Sequence, residues 1–377
     1  MKKIIYIHDL HFYTIDGLFF TSSNMPEVYF DRFFDAEECE IEIFSRLIRL
    51  YSIDDLPQGY IKINNNRLRV SNISPKSYLN VANLKFLIRF YKHMKNFDLV
   101  VANIPSILGM FSLLMNISTK NNFSVEVAAD YDQFASKRGG WLVSCLMKPL
   151  MHYFIARSKG ASYVSQYLRE KYSSKNESIV SSNVNIESVV KDKYVYRNDK
   201  LEISFVGGLN ERKGLINLFE AVNILQGTIN KKIALNVIGG HEDRNWISVV
   251  EKLDLIECVT FYGILEKKEV INILSKSDLY VQPSLTEGIP RATLEAMSRG
   301  LPVIATKLPG FVEILDQDVL VNVNSSKELA DKIKELCNDE EKLTYYSERN
   351  KNKAEMFSYE KLHEIRKEFY KKILNSI

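Results

Sequence analysis

Short apolar runs bounded by glycine or proline recur along this chain, and between them lie longer stretches whose apolar residues return every three or four positions. The first pattern reads as strands buried on both faces of a parallel sheet, the second as amphipathic helices. The alternation is most regular in the second half, where strands are predicted at residues 201–206, 233–238, 259–262, 279–281, 303–305 and 319–323. Helices are expected at 246–253, 267–275 and 327–337, and one more carries Leu215, Leu218, Phe219, Val222 and Leu225 on a single face. Between the strands at 279–281 and 303–305 a helix is delimited at both ends: Pro290 suits its first position, Gly300 a left-handed C′ residue, and Pro302 prevents continuation. Glu313 begins or precedes a short helix, and residues 341–377 form a heavily charged helical tail.

The first half follows the same plan with weaker punctuation. Residues 3–7 predict a first strand, with His8 and His11 at its carboxyl end and a loop through Gly17 to Ser23, then a helix from near Pro26. Residues 81–95 read as a helix with Leu84, Leu87, Ile88 and Tyr91 as its stripe; 97–102 and 123–129 read as strands, with a helix from Ile107 between them. Residues 141–156 are apolar over most of a helical circumference, interrupted by Lys148, Pro149 and His152. Two readings stay open there: a buried interdomain helix broken at Pro149, or a segment lying in a membrane headgroup layer. Residues 160–172 give a strand and a short helix, and 179–185 an interdomain link.

At 377 residues the chain exceeds the size of a single core, so two domains are expected. They are placed at 1–185, with helix 356–377 packing back on them, and at 186–355. The fold class is α/β, with two doubly wound Rossmann-like domains facing across a cleft between their strand ends. A formal charge of +3 demands no nucleic acid. Cys39, Cys145, Cys258 and Cys337 are widely spaced, which points to reduced thiols in a cytoplasm and against disulfides or a zinc site. The apolar run at 4–7 is too short for a signal peptide, and no run is long enough to span a membrane.

The chemistry concentrates at two strand-to-helix loops of the second half. Gly207 and Gly208 follow a strand and precede Arg212, Lys213 and Gly214, an arrangement in which backbone amides and one lysine approach a phosphate. Glu287, Gly288, Ile289, Pro290 and Arg291 open the helix that carries Glu295, so amides at Gly288 and Ile289 are positioned for an anion while the two acids suit sugar hydroxyls. Asp130-Tyr131-Asp132 matches a D-x-D metal pattern, but three-residue matches arise by chance and no metal is assigned.

The stretch EGIPRATLEA at 287–296 resembles the E-x7-E signature of retaining glycosyltransferases with two facing Rossmann-like domains, the large family often called family 4. The resemblance covers 201 to about 337 and, more weakly, the first half. It implies the GT-B fold and metal-independent, cofactor-free transfer from a UDP- or GDP-sugar, with retention of configuration, in building a bacterial surface polysaccharide. It implies Lys213 and the loop amides on the diphosphate, Glu287 on the donor sugar, Glu295 on the ribose, and backbone near Gly263 on the base. Asp130 takes a catalytic, acceptor-side place, alongside His8, His11 and Gly17; the two histidines serve either the acceptor or no ligand. The acceptor is expected to be a lipid-linked or other saccharide and the enzyme cytoplasmic, with peripheral membrane contact as an open alternative. Two departures stand out: relatives carry Gly-Arg where this chain has Gly207-Gly208, with Arg212 or Arg291 as substitutes, and the first loop has Gly17 as its one glycine. An epimerase of the same architecture and a non-catalytic nucleotide-sugar-binding subunit are the competing readings.

Overall fold

The computed structural model describes all residues except 24, 132–139, 192–198, 241 and 289, and no side chains at 140–144. It divides into two compact units, Met1–Asn183 with Leu362–Ile377, and Val184–Lys361.

The first unit contains, in order, β1 (Lys2–Ile15), β2 (Leu18–Ser22), α1 (Asp31–Phe34), β3 (Cys39–Arg49), β4 (Tyr60–Lys62) and β5 (Leu68–Val70). There follow α2 (Leu84–Met94), β6 (Leu99–Ile104), α3 (Ile107–Thr119), β7 (Asn122–Val127), α4 (Gly140–Arg157), β8 (Gly160–Tyr163), α5 (Gln166–Lys171) and β9 (Glu177–Val180). Parallel pairing runs β5-β3-β1-β6-β7-β8-β9, a doubly wound order whose direction reverses between β1 and β6. β2 and β4 add to it antiparallel.

Several sequence expectations change here. The first strand does not stop at Ile7: after an irregularity between Ile7 and His11 it continues to Ile15, paired with β3 through Thr14 and with Phe12 and Ile15 buried. Gly17 therefore sits in a two-residue hairpin turn, with Asp16 and Gly17 both at positive φ (48° and 81°), as a primed turn requires. On α2 the buried residues are Phe90 and Met94, with Phe86 half-buried, while Leu84 and Ile88 point to solvent. The aromatic rings win because they meet Phe44 and Phe111. α4 runs through Pro149 without a break and buries Met147, Met151, Phe154 and Ile155 against β7 and β8. Residues 177–180 form an edge strand rather than the start of a link.

A buried polar cluster joins the end of the chain to this sheet. Glu126 on β7 accepts hydrogen bonds from Tyr6 (2.6 Å), Tyr29 (2.8 Å) and Tyr370 (2.7 Å), and Arg32 lies 3.4 Å away with its guanidinium stacked on Tyr29. Burial opposes the charge of Glu126, but Arg32 and the three phenols outweigh it and hold the carboxyl below the usual glutamate range. Tyr370 belongs to the last helix, which also presses on Gly160, where an added Cβ would lie 2.5 Å from Ile373.

The second unit holds β10 (Lys200–Val206), α6 (Leu215–Gln226), β11 (Lys232–Ile238), α7 (Trp246–Lys252), β12 (Val259–Gly263), α8 (Lys267–Leu274) and β13 (Leu279–Gln282). It continues with α9 (Arg291–Ser298), β14 (Val303–Thr306), α10 (Pro309–Val312), β15 (Leu320–Val321), α11 (Ser326–Cys337) and α12 (Glu340–Glu355); α13 (Tyr359–Asn375) leads into the first unit. All six strands are parallel, in the order β12-β11-β10-β13-β14-β15. The face predicted for α6 is buried as expected. Pro290 is the N-cap of α9 rather than its first residue, and Glu313 caps the end of α10 rather than opening a helix. The predicted tail is two helices, α12 and α13.

Candidate active site

In a doubly wound sheet the two loops leaving the strands at the reversal point splay to opposite faces and leave a crevice. In the second unit that point lies between β10 and β13, and a cavity of about 300 Å³ opens there. Val206, Gly207, Lys213, Gln282, Glu287, Pro290, Arg291, Ala292 and Glu295 line it. Of the residues singled out from sequence, it thus unites Gly207, Lys213, Glu287, Pro290, Arg291 and Glu295.

Lys213 is aimed by backbone constraint. Its turn (Glu211–Lys213) ends at Gly214 in the left-handed region, φ +70°, and an added Cβ there would lie 1.8 Å from the Pro283 carbonyl oxygen. The β10 exit is packed equally closely on β11: a Cβ at Gly239, φ +143°, would lie 1.8 Å from the Gly207 oxygen.

Glu287 receives the Lys213 ammonium on Oε1 and, on the same oxygen, the Ser284 hydroxyl at 3.0 Å. Behind Ser284 the chain of donors continues: Gln282 Nε2 donates to its Oγ at 3.0 Å, and the Tyr280 hydroxyl donates to Gln282 Oε1 at 2.5 Å. Thr306 on β14 fixes the loop by donating to the Ser284 carbonyl at 2.6 Å. Two side chains, Lys213 and Ser284, thus hold one carboxylate oxygen, with Gln282 and Tyr280 behind Ser284, and Lys213 retains two further N–H donors. Tyr280, Gln282 and Ser284 were not singled out from sequence. Their signal is the polar residue at alternate positions in YVQPS, where a strand buried on both faces should read apolar.

Burial raises the Glu295 carboxyl above the ordinary glutamate value, partly offset by Arg291 and Lys267. Arg291 lines the cavity, whereas Arg212 is exposed and engages the site through its backbone, its carbonyl accepting from Leu285 N. Of the two arginines expected to stand in for the Gly-Arg arginine, Arg291 is the one that lines the cavity. Gly208 lies outside the lining, beside Asn210; Gly263 ends β12 with its carbonyl accepting from Gly239 N; Gly288 is exposed, in open space. Ile289 lies outside the described residues.

The first unit's own reversal point lies between β1 and β6. Asp9 accepts from Ile107 N and Leu108 N, both at 2.9 Å, so a carboxylate of the chain already occupies the amides that begin α3. His8 lies beside it, half-buried, its Nδ1 accepting from Leu10 N, and burial pushes its pKa down to about 4. His11 is likewise within the strand. Asp130 is held by Lys171, by Tyr172 at 2.5 Å and by Tyr167 at 3.2 Å; burial would raise its pKa, but these partners outweigh burial and lower it. Asp132 of the D-x-D pattern lies outside the described residues.

Residues 188–353 match the family model described as glycosyl transferases group 1. Protein CapJ of Staphylococcus aureus is 27% identical over 299 residues, 74% of each chain. A putative colanic acid biosynthesis glycosyltransferase, WcaL of Escherichia coli, is 33% identical over 144 residues, 35% of each chain. Among solved structures, sucrose-phosphate synthase from Thermosynechococcus elongatus superposes with a TM-score of 0.68 at 15% identity, and HepE of Anabaena, solved with UDP, with 0.66 at 14%; both cover the whole of both chains. By its fold, its matched domain and its relatives, the chain is a glycosyltransferase of the GT-B fold, an enzyme whose second unit carries the group 1 domain.

Proposed function

We propose that this enzyme is a retaining family 4 glycosyltransferase that moves a sugar from a nucleotide diphosphate donor to a lipid-linked saccharide in polysaccharide biosynthesis. The observation that carries the reading is the Lys213–Glu287 pair, oriented by Ser284, Gln282 and Tyr280 inside a cavity that also holds Arg291 and Glu295. UDP in the HepE structure and the polysaccharide role in the WcaL name support the donor class and the pathway type.

In this reading the free N–H donors of Lys213, the Arg291 guanidinium and the amides of the loop at Gly288 receive the diphosphate. They stabilise the negative charge that grows on it as the sugar C1–O bond breaks. Glu287 Oε2 accepts from a donor-sugar hydroxyl, because Oε1 is already engaged. Glu295 accepts from the ribose. The acceptor oxygen attacks C1 on the face the diphosphate leaves, and its proton passes to the departing phosphate oxygen, so configuration is retained without a protein nucleophile, a metal or another cofactor. Asp130 is poorly suited to take that proton: its lowered pKa makes it a weak base, and Lys171, Tyr167 and Tyr172 already engage both of its oxygens.

The test is nucleotide release from a panel of UDP-, GDP- and TDP-sugars with and without lipid-linked acceptor. Glu287→Gln and Lys213→Ala are expected to lower turnover at least tenfold, that is by about 1.4 kcal/mol or more of transition-state stabilisation. Unchanged turnover in both variants rejects this site; acceptor-independent isomerisation of the donor rejects transfer in favour of an epimerase.

A further inference from the structure

Charge is distributed unevenly in this chain. Residues 56–97 contain eight lysines and arginines and no aspartate or glutamate, whereas the remainder is net acidic. Three of the eight are engaged within the first unit: Arg69 pairs with Glu42 at 3.0 Å, Arg67 stacks on Phe34, and Lys95 lies over Tyr91. Lys76, Lys85, Arg89 and Lys92 are exposed, and among the described residues none of them makes an ion pair.

These four share their surface with large apolar side chains. At about 100° per residue, Leu84, Ile88 and Lys92 fall within about 80° of one another, Lys85 and Arg89 flank them, and Phe86, Phe90 and Met94 form the opposite, core-facing stripe. Leu84 is 70% exposed and Ile88 50%, and Leu79, on the turn that precedes α2, is 84% exposed. A solitary exposed leucine is ordinary. Leu79, Leu84 and Ile88 together, rimmed by four uncompensated cations, make an amphipathic surface of the kind that lies in a lipid headgroup layer. Beside it a cavity of about 430 Å³ is lined by Asn72, Ser74, Lys76, Asn83, Lys85 and Arg89, a set of donors and cations suited to a phosphate.

We infer that the face formed by residues 76–92 docks this enzyme on an anionic membrane surface, with Leu79, Leu84 and Ile88 entering the headgroup layer and the adjacent cavity seating a lipid phosphate. The charge complementarity of this face selects the occupant. α4, the segment suggested by the sequence, is a weaker candidate because Met147, Met151, Phe154 and Ile155 are committed to the core. Among the described residues no helix is long and apolar enough to cross a membrane, so attachment through this face is interfacial.

Co-sedimentation of the full chain with vesicles tests this. Vesicles of one part phosphatidylglycerol to two parts phosphatidylcholine should bind it at low salt, at least tenfold more tightly than pure phosphatidylcholine, with loss at about 0.5 M salt. Each cation near such a surface contributes roughly fivefold to partitioning, so Lys85→Gln/Arg89→Gln/Lys92→Gln should weaken binding at least tenfold, and Leu84→Ser/Ile88→Ser several-fold. Both variants alter exposed positions and should bind donor nucleotide unchanged, a readout that separates failure here from failure of the proposed chemistry. The inference is overturned if the wild type ignores anionic vesicles, if it binds neutral ones equally well, or if both variants partition as the wild type does. Equally tight binding to single-stranded RNA also overturns it, assigning the face to nucleic acid.

Discussion

Removing the Glu126 carboxylate should unfold the first unit well before the second. Its partner Arg32 is buried, and among the described residues its Nε and Nη2 find no hydrogen-bond acceptor, so Glu126→Leu leaves an uncompensated cation and three phenol hydroxyls without their acceptor. Breaking a buried pair in this way costs about 3–5 kcal/mol, and with a urea slope of about 2 kcal/mol/M the midpoint should fall by about 2 M. In a Trp141→Phe background the fluorescence of Trp246 reports the second unit alone, and loss of far-ultraviolet ellipticity that precedes it reports the first. Adding Arg32→Met to Glu126→Leu removes the stranded charge and should restore more than half of the lost stability, because the desolvation of Arg32 is what the single change exposes. A midpoint shift below about 0.5 M for Glu126→Leu, or a double variant no more stable than the single, would refute the argument that charge compensation holds Tyr370 and the last helix on the sheet.

Two further outcomes follow from backbone and protonation. Gly214→Ala must place its methyl group 1.8 Å from the Pro283 oxygen at positive φ; it should destabilise the second unit by at least about 2 kcal/mol and raise the donor KM, measured by urea unfolding and by initial rates. His8, held neutral by burial with its pKa near 4, should make the first unit lose stability as pH falls below its ordinary value of 6.5. The loss continues toward pH 4 with a slope of at most about 1.4 kcal/mol per pH unit. His8→Gln should flatten that loss between pH 7 and 5, and parallel curves for the two proteins would contradict it.

Much of the second unit was legible because its strands are buried on both faces. Apolar runs such as 279–281 and 303–305, each bounded by proline, read as central strands, and the glycines and prolines between them have few alternative uses. Lys213 and Glu287 in the loops after β10 and β13, and Glu295 on α9, followed from this strand and helix pattern. Gln282 and Ser284 did not, since a buried polar side chain reveals its role only through its partners. In the first unit the signals were divided. α2 presents two apolar stripes, and periodicity alone assigned the wrong one to the core; β1 passes through the polar HDLH before buried residues return at Phe12.

The order of apolar and polar residues, with its glycines and prolines, was enough to determine two α/β units and to put Lys213 and Glu287 in the loops that follow β10 and β13, because local backbone preference and burial period are properties of neighbouring residues. Tertiary structure alone decided which face of α2 is covered, that Arg291 rather than Arg212 lines the site, and that Glu126 gathers Tyr6, Tyr29, Arg32 and Tyr370. Each of those outcomes depends on groups brought together from far apart in the chain, and their energies of desolvation and packing exist only once the partners meet.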